Sequence, residues 1–531
     1  MRRWSNQEVS FSCMPYGNGQ DDEGVALLLE IGEYRILLDC GLDDLSDLCK
    51  NPAVDLVLCS HAHRDHAGGL LSFHQIWPDV PIFASGVTAY LLTLLWPAIT
   101  YETINRFCHE IPWRSPVKVL ENLTVELFPA GHIPGAASFL LTYQTKGRSY
   151  RIFYTGDFCL SNFQLVEGLS IEPLRGLNPD ILILEGTYGT NRHPHRRQQE
   201  KTLMELIHNS LCIGQNIAFL VDTLGLGQEI LKLLRSHHQF TGRQLDIWVT
   251  GQLAVACDIY LQLLPQFPIA VQNFAKHQPL FWDERVFPKM HRISPENQPN
   301  NSPYILLCDD PSTILQYCDQ SWLVLIPEHK KNLAQIFTDL HCVQYLLAEH
   351  SDGRNTTQLI HNLRPQHVIL IHGPANYLKD LAALEELQNR YQLHVPSRLH
   401  QVDLPIGEKF VQPVLSTFNL YEGELNEFGS SIVISLPNLI SNDTRWSVFS
   451  GTGIVEARWQ GDELVIRGLP ERELILHNNE NNKRTEDIDC CRNCRHYRGQ
   501  KCWNTKSPLY DFKVTPEGCC PVFETITILQ E

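Results

Sequence analysis

The sequence has 531 residues, too many for one hydrophobic core, so about two to four domains are expected. Its 43% hydrophobic content is ordinary for a folded chain, and no apolar run reaches the roughly 18 residues that a membrane-spanning helix needs. The formal net charge of −17 excludes a chain that coats itself in nucleic acid through a general basic surface, and leaves any such substrate to a local basic groove and metal ions.

Residues 1–19 lack the continuous apolar core of a secretion signal. The 17 cysteines include single residues beside apolar runs, such as Cys40, Cys59 and Cys159, which suit buried thiols in a reducing compartment. A soluble, cytoplasmic chain is therefore expected.

Through the first 410 residues short apolar runs bounded by Gly, Pro and Asn alternate with helical patterns, which predicts an α/β protein. Residues 25–31 and 34–38 read as paired strands around Gly32-Glu33, and residues 54–59, 151–154 and 181–184 as buried strands that each end at a polar residue. Loops at strand ends are where open α/β sheets present their chemistry. At about Thr190 a new unit begins with a helix over 201–211, whose Leu203, Leu206, Ile207 and Leu211 share a face. It runs through strands at 216–221 and 245–249 and a helix at 228–234 to the polar loop 293–303, before residues 368–371 and a helix bearing Leu378, Leu381, Leu384 and Leu387 return to the first style. One domain inserted in another is the simplest account. Beyond about Gln412 short β-like pieces follow, 432–436 and a hairpin 453–468 turning at Gly461-Asp462, then a linker over 477–489 and a Cys-rich tail.

Directly after the strand ending at Cys59 stands Ser60-His61-Ala62-His63-Arg64-Asp65-His66-Ala67-Gly68-Gly69. Four ligand-type side chains within six residues cannot share one face of a helix or strand, but a loop can converge them. Imidazole and carboxylate are the donors zinc takes in catalytic sites.

The pattern His-x-His-x-Asp-His resembles the signature of the metallo-β-lactamase superfamily. Asp39 resembles that family's aspartate before the signature, which orients the loop; His132 in Gly131-His132-Ile133-Pro134 resembles its next histidine; Asp157 in Thr155-Gly156-Asp157 resembles the aspartate that bridges two metals. Glu185 in Leu184-Glu185-Gly186-Thr187-Tyr188-Gly189, His350 in Glu349-His350-Ser351-Asp352 and His372 in Ile371-His372-Gly373 are similar to three motifs of the β-CASP group, the nucleic-acid-processing branch with an inserted cap.

This resemblance implies an α/β fold, a metallo-β-lactamase αββα sandwich with an α/β cap domain. Residues 1–190 and 346–411 would form the sandwich, 191–345 the cap, 412–480 a small β-rich segment and 486–531 a Cys-rich module. It implies two zinc ions, one held by His61, His63 and His132 and the other by Asp65, His66 and His372, with Asp157 between them. Asp65, Glu185 and His350 would be catalytic, a bridging hydroxide the nucleophile, and His350 held by Glu185 the general acid. Single-stranded RNA is the expected substrate, since a histidine at position 372 resembles RNA-cleaving members. DNA or a small ester or phosphate is the alternative, and a catalytically degenerate RNA-binding or redox module a third. Tyr188 and the basic run with Arg192, Arg196 and Arg197 either grip phosphates or form a solvated helix start. No membrane partner is expected, and a homodimer stays open.

The chain departs from the pattern at Gly225-Leu226-Gly227-Gln228-Glu229, where RNA-cleaving relatives carry an arginine in place of Leu226, and at Cys308-Asp309-Asp310, where they carry a Ser-Ser-Gly-Met-like turn. In the tail Cys491, Cys494, Cys502 and Cys520, with Cys490 and Cys519 as neighbours, have the spacing of a metal-stapled module holding zinc or an iron–sulfur cluster. Val514, Gly518, Cys520 and Phe523 are similar to the last stretch of high-potential iron–sulfur proteins.

Overall fold

The computed structural model divides into two units, Met1–Leu415 and Ser416–Glu531. It describes residues 9–20, 23–51, 54–283, 285–294, 297–299 and 303–407 of the first, and 424–428, 431–435, 455–460, 463–468, 494–498 and 501–504 of the second.

In chain order the first unit contains strands Phe11–Asn18 (β1), Val25–Ile31 (β2), Tyr34–Leu38 (β3), Leu56–Leu58 (β4), Ile82–Ala84 (β5) and Cys108–Glu110 (β6). Val117–Leu120 (β7), Leu123–Pro129 (β8), Ala137–Gln144 (β9), Ser149–Tyr154 (β10) and Ile181–Glu185 (β11) follow. Next come Ile217–Leu220 (β12), Asp246–Val249 (β13), Lys289–Arg292 (β14), Ile305–Cys308 (β15), Leu323–Pro327 (β16) and His341–Tyr345 (β17). His367–Ile371 (β18), Gln392–His394 (β19) and Val402–Asp403 (β20) complete it.

They build three sheets, ordered β20-β1-β2-β3-β4-β5-β6, β19-β18-β11-β10-β9-β8-β7 and β14-β13-β15-β12-β16-β17. The two seven-stranded sheets share one core: Val25, Leu27, Leu29, Ile36, Leu38, Leu56 and Leu58 pack in one cluster with Val125, Leu127, Phe139, Leu141, Ile152, Ile181, Ile183 and Ile369. The alternate residues Ala26, Leu28, Leu37, Val57, Phe153 and Leu182 belong to another cluster with helical residues such as Leu70 and Phe73. Both strand faces are thus buried, which is why these strands read as nearly unbroken apolar runs.

The third sheet is parallel throughout. It starts with the strand expected at 216–221 and includes β15, which leads into Asp309-Asp310, and β16 and β17, which the sequence pattern leaves unmarked. The helix expected at 201–211 is longer, Arg196–Cys212, because the His195 side chain accepts from Arg197 N at its start. The helix expected through Leu387 is two, Ala375–Ala382 and Glu385–Gln388, with Leu384 in an extended conformation between them (φ −62°, ψ 120°). Among the described residues no helix is long and apolar enough to cross a membrane.

In the second unit Val455–Gln460 pairs antiparallel with Glu463–Gly468, as the hairpin pattern predicts, and Glu424–Phe428 pairs with Ser431–Ser435. Cys494 and Cys502 are buried beside the short pair Tyr497–Arg498 and Lys501–Cys502. The Gly461-Asp462 turn, the 477–489 linker, Cys490, Cys491, Cys519, Cys520 and the Val514–Phe523 stretch lie outside the described residues.

Candidate metal centre and active site

Neighbouring strands deliver the chemistry at one end of the paired sheets. β3 and β4 run parallel and lead into Asp39 and the loop from Ser60 to His66, while β10, β11 and β18 run parallel and lead to Asp157, Glu185 and His372. Gly156 turns the β10 loop at φ +56°, where a Cβ would stand 2.7 Å from Ser60 Cβ, so a bulkier residue would push Asp157 off its loop.

Asp39 is fully buried at φ 58°, a left-handed position that aspartate tolerates better than most residues. Its carboxylate accepts from Ser60 N (2.6 Å), Ser60 Oγ (2.7 Å) and Tyr154 OH (2.5 Å). It also lies 2.8 Å from His66 Nδ1. A hydrogen on His66 Nδ1 donates to this carboxylate, which turns Nε2 toward Asp157.

The same logic fixes two more rings. His132 Nδ1 lies 3.0 Å from the carbonyl of Glu349, and His63 Nε2 3.3 Å from the carbonyl of Leu224. A carbonyl cannot donate, so the hydrogens sit on those nitrogens. The other two, His132 Nε2 and His63 Nδ1, then face each other as bare lone pairs at 3.1 Å. His61 Nε2 lies 3.1 Å from that same His63 Nδ1. Burial holds His61, His63 and His132 below the usual imidazole range, His61 and His132 well below it, so they remain neutral. Converging lone pairs repel unless a cation lies among them.

Two neighbouring donor groups result. His61, His63, His132 and Asp157 offer ligand atoms all within 4.8 Å of one another, and so do Asp65, His66 and His372. Asp157 Oδ2 is 3.3 Å from His66 Nε2, and its Oδ1 is buried with no hydrogen-bond partner, as is His66 Nε2. Buried polar atoms of this kind are satisfied by an ion or cost free energy. The donor set fits two divalent cations sharing Asp157.

His372, at φ 49°, is pinned by its N–H to Asn18 O (2.7 Å) and lies 3.3 Å from Asp65 Oδ2 through Nε2. Thr187 Oγ1 lies 2.9 Å from its Nδ1 and also donates to Glu185. Beside them His350 Nδ1 sits 2.9 Å from Glu185 Oε1, which also accepts from Phe158 N at 2.8 Å. Burial disfavours a charged His350, yet Glu185 outweighs it and lifts the imidazole to about 10, so the ring is protonated near neutral pH.

Every histidine, aspartate and glutamate expected from the sequence at the active site is therefore gathered in one place, apart from the tail cysteines. The substrate candidates divide. Tyr188 is buried at the site's edge, its ring 6.0 Å from that of His350. Arg192 and Arg197 are exposed, whereas Arg196 is turned inward, donating to Ala348 O (2.8 Å) and Glu200 (3.1 Å). Arg196 serves the interior, because the first turn of its helix packs against the segment that carries His350.

Departures from the family pattern also find places. Leu226, which stands in place of the arginine, is fully buried in the core, and Glu229 of the same motif accepts from Gln164 N (2.6 Å) and Leu165 N (2.9 Å). Asp310 caps the helix Pro311–Tyr317, and Asp309 accepts from Thr223 Oγ1 at 2.8 Å. Sequence reasoning missed Tyr154, whose OH binds Asp39, and the cluster of Asp222, His329 and Glu349, whose donor atoms also lie within 4.8 Å of one another. These three come from the ends of three strands, and no spacing along the chain signals them.

Two family models match, the beta-lactamase superfamily domain over residues 34–224 and the Zn-dependent metallo-hydrolase RNA specificity domain over residues 342–396. The chain is 49% identical to the uncharacterized protein sll0514 of Synechocystis over 98% of its own length and 97% of that protein's. It is 34% identical to the protein named probable RNase MJ4 of Methanocaldococcus jannaschii, over 40% of this chain and 53% of that one. It is 25% identical to cleavage and polyadenylation specificity factor 73 of Drosophila melanogaster, over 74% of this chain and 65% of that one.

Proposed function

Because the chain belongs to the metallo-β-lactamase superfamily and its β-CASP group of nucleic-acid-processing hydrolases, we propose that it is a ribonuclease that hydrolyses phosphodiester bonds in single-stranded RNA with two zinc ions. The carrying observation is the pair of bare imidazole nitrogens of His63 and His132 at 3.1 Å, in a donor group joined through Asp157 to that of Asp65, His66 and His372.

In this reading His61, His63 and His132 would hold one cation and Asp65, His66 and His372 the other, with Asp157 available to both. Bound there, the cations acidify water to a nucleophile and offset charge that builds on the phosphate. Asp39 keeps His66 turned inward by holding its Nδ1–H. His350 holds a proton within the site for the leaving 3′ oxygen, and Glu185 keeps it there. Tyr188 walls the site, and Arg192 and Arg197 stand exposed where an approaching backbone meets the start of their helix.

The shared core of the two seven-stranded sheets supports the αββα sandwich, with residues 191–345 as its cap. The spacing of Cys491, Cys494, Cys502 and Cys520 supports a zinc or iron–sulfur staple in the tail. Incubation of the purified protein with end-labelled single-stranded RNA tests the central claim. Cleavage should require metal and stop in His63→Ala; cleavage that survives both chelator and the substitution would falsify it.

A further inference from the structure

We infer that Lys330, held by Asp222 and His329, is a phosphate-binding residue for the nucleotide adjoining the scissile bond, an inference that rests on the ribonuclease reading above. All six strands of the third sheet run parallel, so their C-terminal ends line one edge. In open α/β sheets ligands sit at that edge. Here β12 runs into Asp222 and Leu224, β16 into Glu328, His329 and Lys330, and β17 into Glu349 and His350. The edge meets the metal-ligand cluster directly, since the Leu224 and Glu349 carbonyls accept from His63 and His132.

Strands β12 and β16 are neighbours, which brings Asp222 and the β16 end together. Lys330 Nζ lies 2.5 Å from Asp222 Oδ1, and His329 Nε2 lies 3.0 Å from Oδ2. With one oxygen fixed by His329, the carboxylate holds the ammonium at a set place instead of leaving a four-carbon stem to sweep through water. The Lys330 side chain keeps 23% of its surface exposed, and two of its three N–H groups remain beyond the one given to Asp222. Its surroundings are acidic: Asp222 and Glu349 offer carboxylate oxygens within one cluster, the chain carries a net −17, and Arg196 is committed to the interior. A polyanion that reaches the metal cluster past those carboxylates gains from an ammonium already neutralising Asp222.

The test uses the full-length, metal-loaded protein, a short single-stranded oligoribonucleotide with phosphorothioate linkages that slow hydrolysis, and bis(p-nitrophenyl) phosphate, a diester with no neighbouring phosphate. Lys330→Gln should weaken oligonucleotide binding, read by fluorescence anisotropy, about tenfold. It should also lower the slope of log affinity against log salt by about 0.7, the value for one phosphate contact on a single strand. Lys330→Arg should restore the slope, and hydrolysis of the small diester should be unchanged in both. Asp222→Asn should weaken binding less while leaving the slope intact, as a positioning residue does. An unchanged slope in Lys330→Gln, beside a wild type that cleaves RNA, would overturn the subsite and leave the ribonuclease reading standing. A wild type that hydrolyses the small diester but neither binds nor cuts RNA would overturn both. One equivalent of zinc beyond those of the active site and the tail, lost in His329→Gln, would make the Asp222, His329 and Glu349 cluster a cation site and also overturn the inference.

Discussion

His350 Nδ1 and Glu185 Oε1 lie 2.9 Å apart at the edge of the metal-ligand cluster, yet they stand 165 positions apart in the chain. The pair joins the start of the inserted segment to its end, and it keeps a proton stored beside the neutral imidazoles of His61, His63 and His132.

If His350 supplies that proton to the leaving oxygen, His350→Ala should lower kcat for RNA about 10²- to 10⁴-fold, the usual weight of a positioned general acid. Metal content should not change. Glu185→Gln should lower kcat less, because the imidazole keeps a hydrogen-bond partner but loses the charge that favours its protonated form. Single-turnover cleavage with parallel metal analysis separates these outcomes, and full activity in His350→Ala would remove it from the mechanism.

Asp39 accepts from Ser60 and Tyr154 and holds His66 without facing the donor cluster itself. Asp39→Asn cannot accept all of these at once, since one of its two oxygens becomes a donor amide. We expect metal affinity to fall about 10- to 100-fold, measured by competition with a chromogenic chelator. An Asn variant that retains its metals as tightly as the wild type would contradict the orienting role.

Stripping metal should cost stability as well as activity, because it leaves the bare nitrogens of His63 and His132 opposed at 3.1 Å in a buried site. Chelated protein should melt at a lower temperature and recover on adding zinc. Identical melting curves would argue against a cation between the rings.

Burial pushes the Glu229 carboxyl up from 4.5 to about 7, against the pull of Arg196 and the Gln164 and Leu165 amides. The folded chain therefore binds this proton more readily than the unfolded chain, and stability falls as pH rises from about 4.5 through about 7. Glu229→Gln removes the titration, so its melting temperature should vary less between pH 5 and pH 8 than that of the wild type. A variant with the wild-type pH slope would show that Glu229 is already ionised in the fold.

Arg196 was one of four residues offered by the sequence as a phosphate contact, and its buried bonds to Ala348 O and Glu200 give it a different role. Arg196→Ala should destabilise the chain by about 3 kcal/mol, as removing one partner from a buried charged network does. Arg192→Ala, at an exposed position, should change stability by about 0.5 kcal/mol or less. Chemical denaturation compares the two directly.

The donor residues were legible because metal coordination restricts side-chain type so tightly that His61, His63, Asp65 and His66 leave a local signature in six residues. His132, Asp157 and His372 have no such signature, and only resemblance to a family marked them. The strands β2, β3, β10, β11 and β18 were readable because burial on both faces makes them continuous apolar runs. β17, HCVQY, was missed at the other extreme, being largely polar and at a sheet edge, whereas β16, LVLIP, is a buried apolar run that went unmarked all the same. Asp222, His329 and Glu349 could not be read at all, since their meeting depends on β12, β16 and β17 lying side by side. The inward turn of Arg196 is equally invisible, because a basic run at a helix start has the same spelling whether its members face water or the interior.

The carbonyl of Leu224, from the inserted segment, decides which nitrogen of His63 keeps its hydrogen. The orientation of a donor atom that follows the first sheet thus depends on backbone supplied by the third, so the two sheets are coupled at the cluster itself.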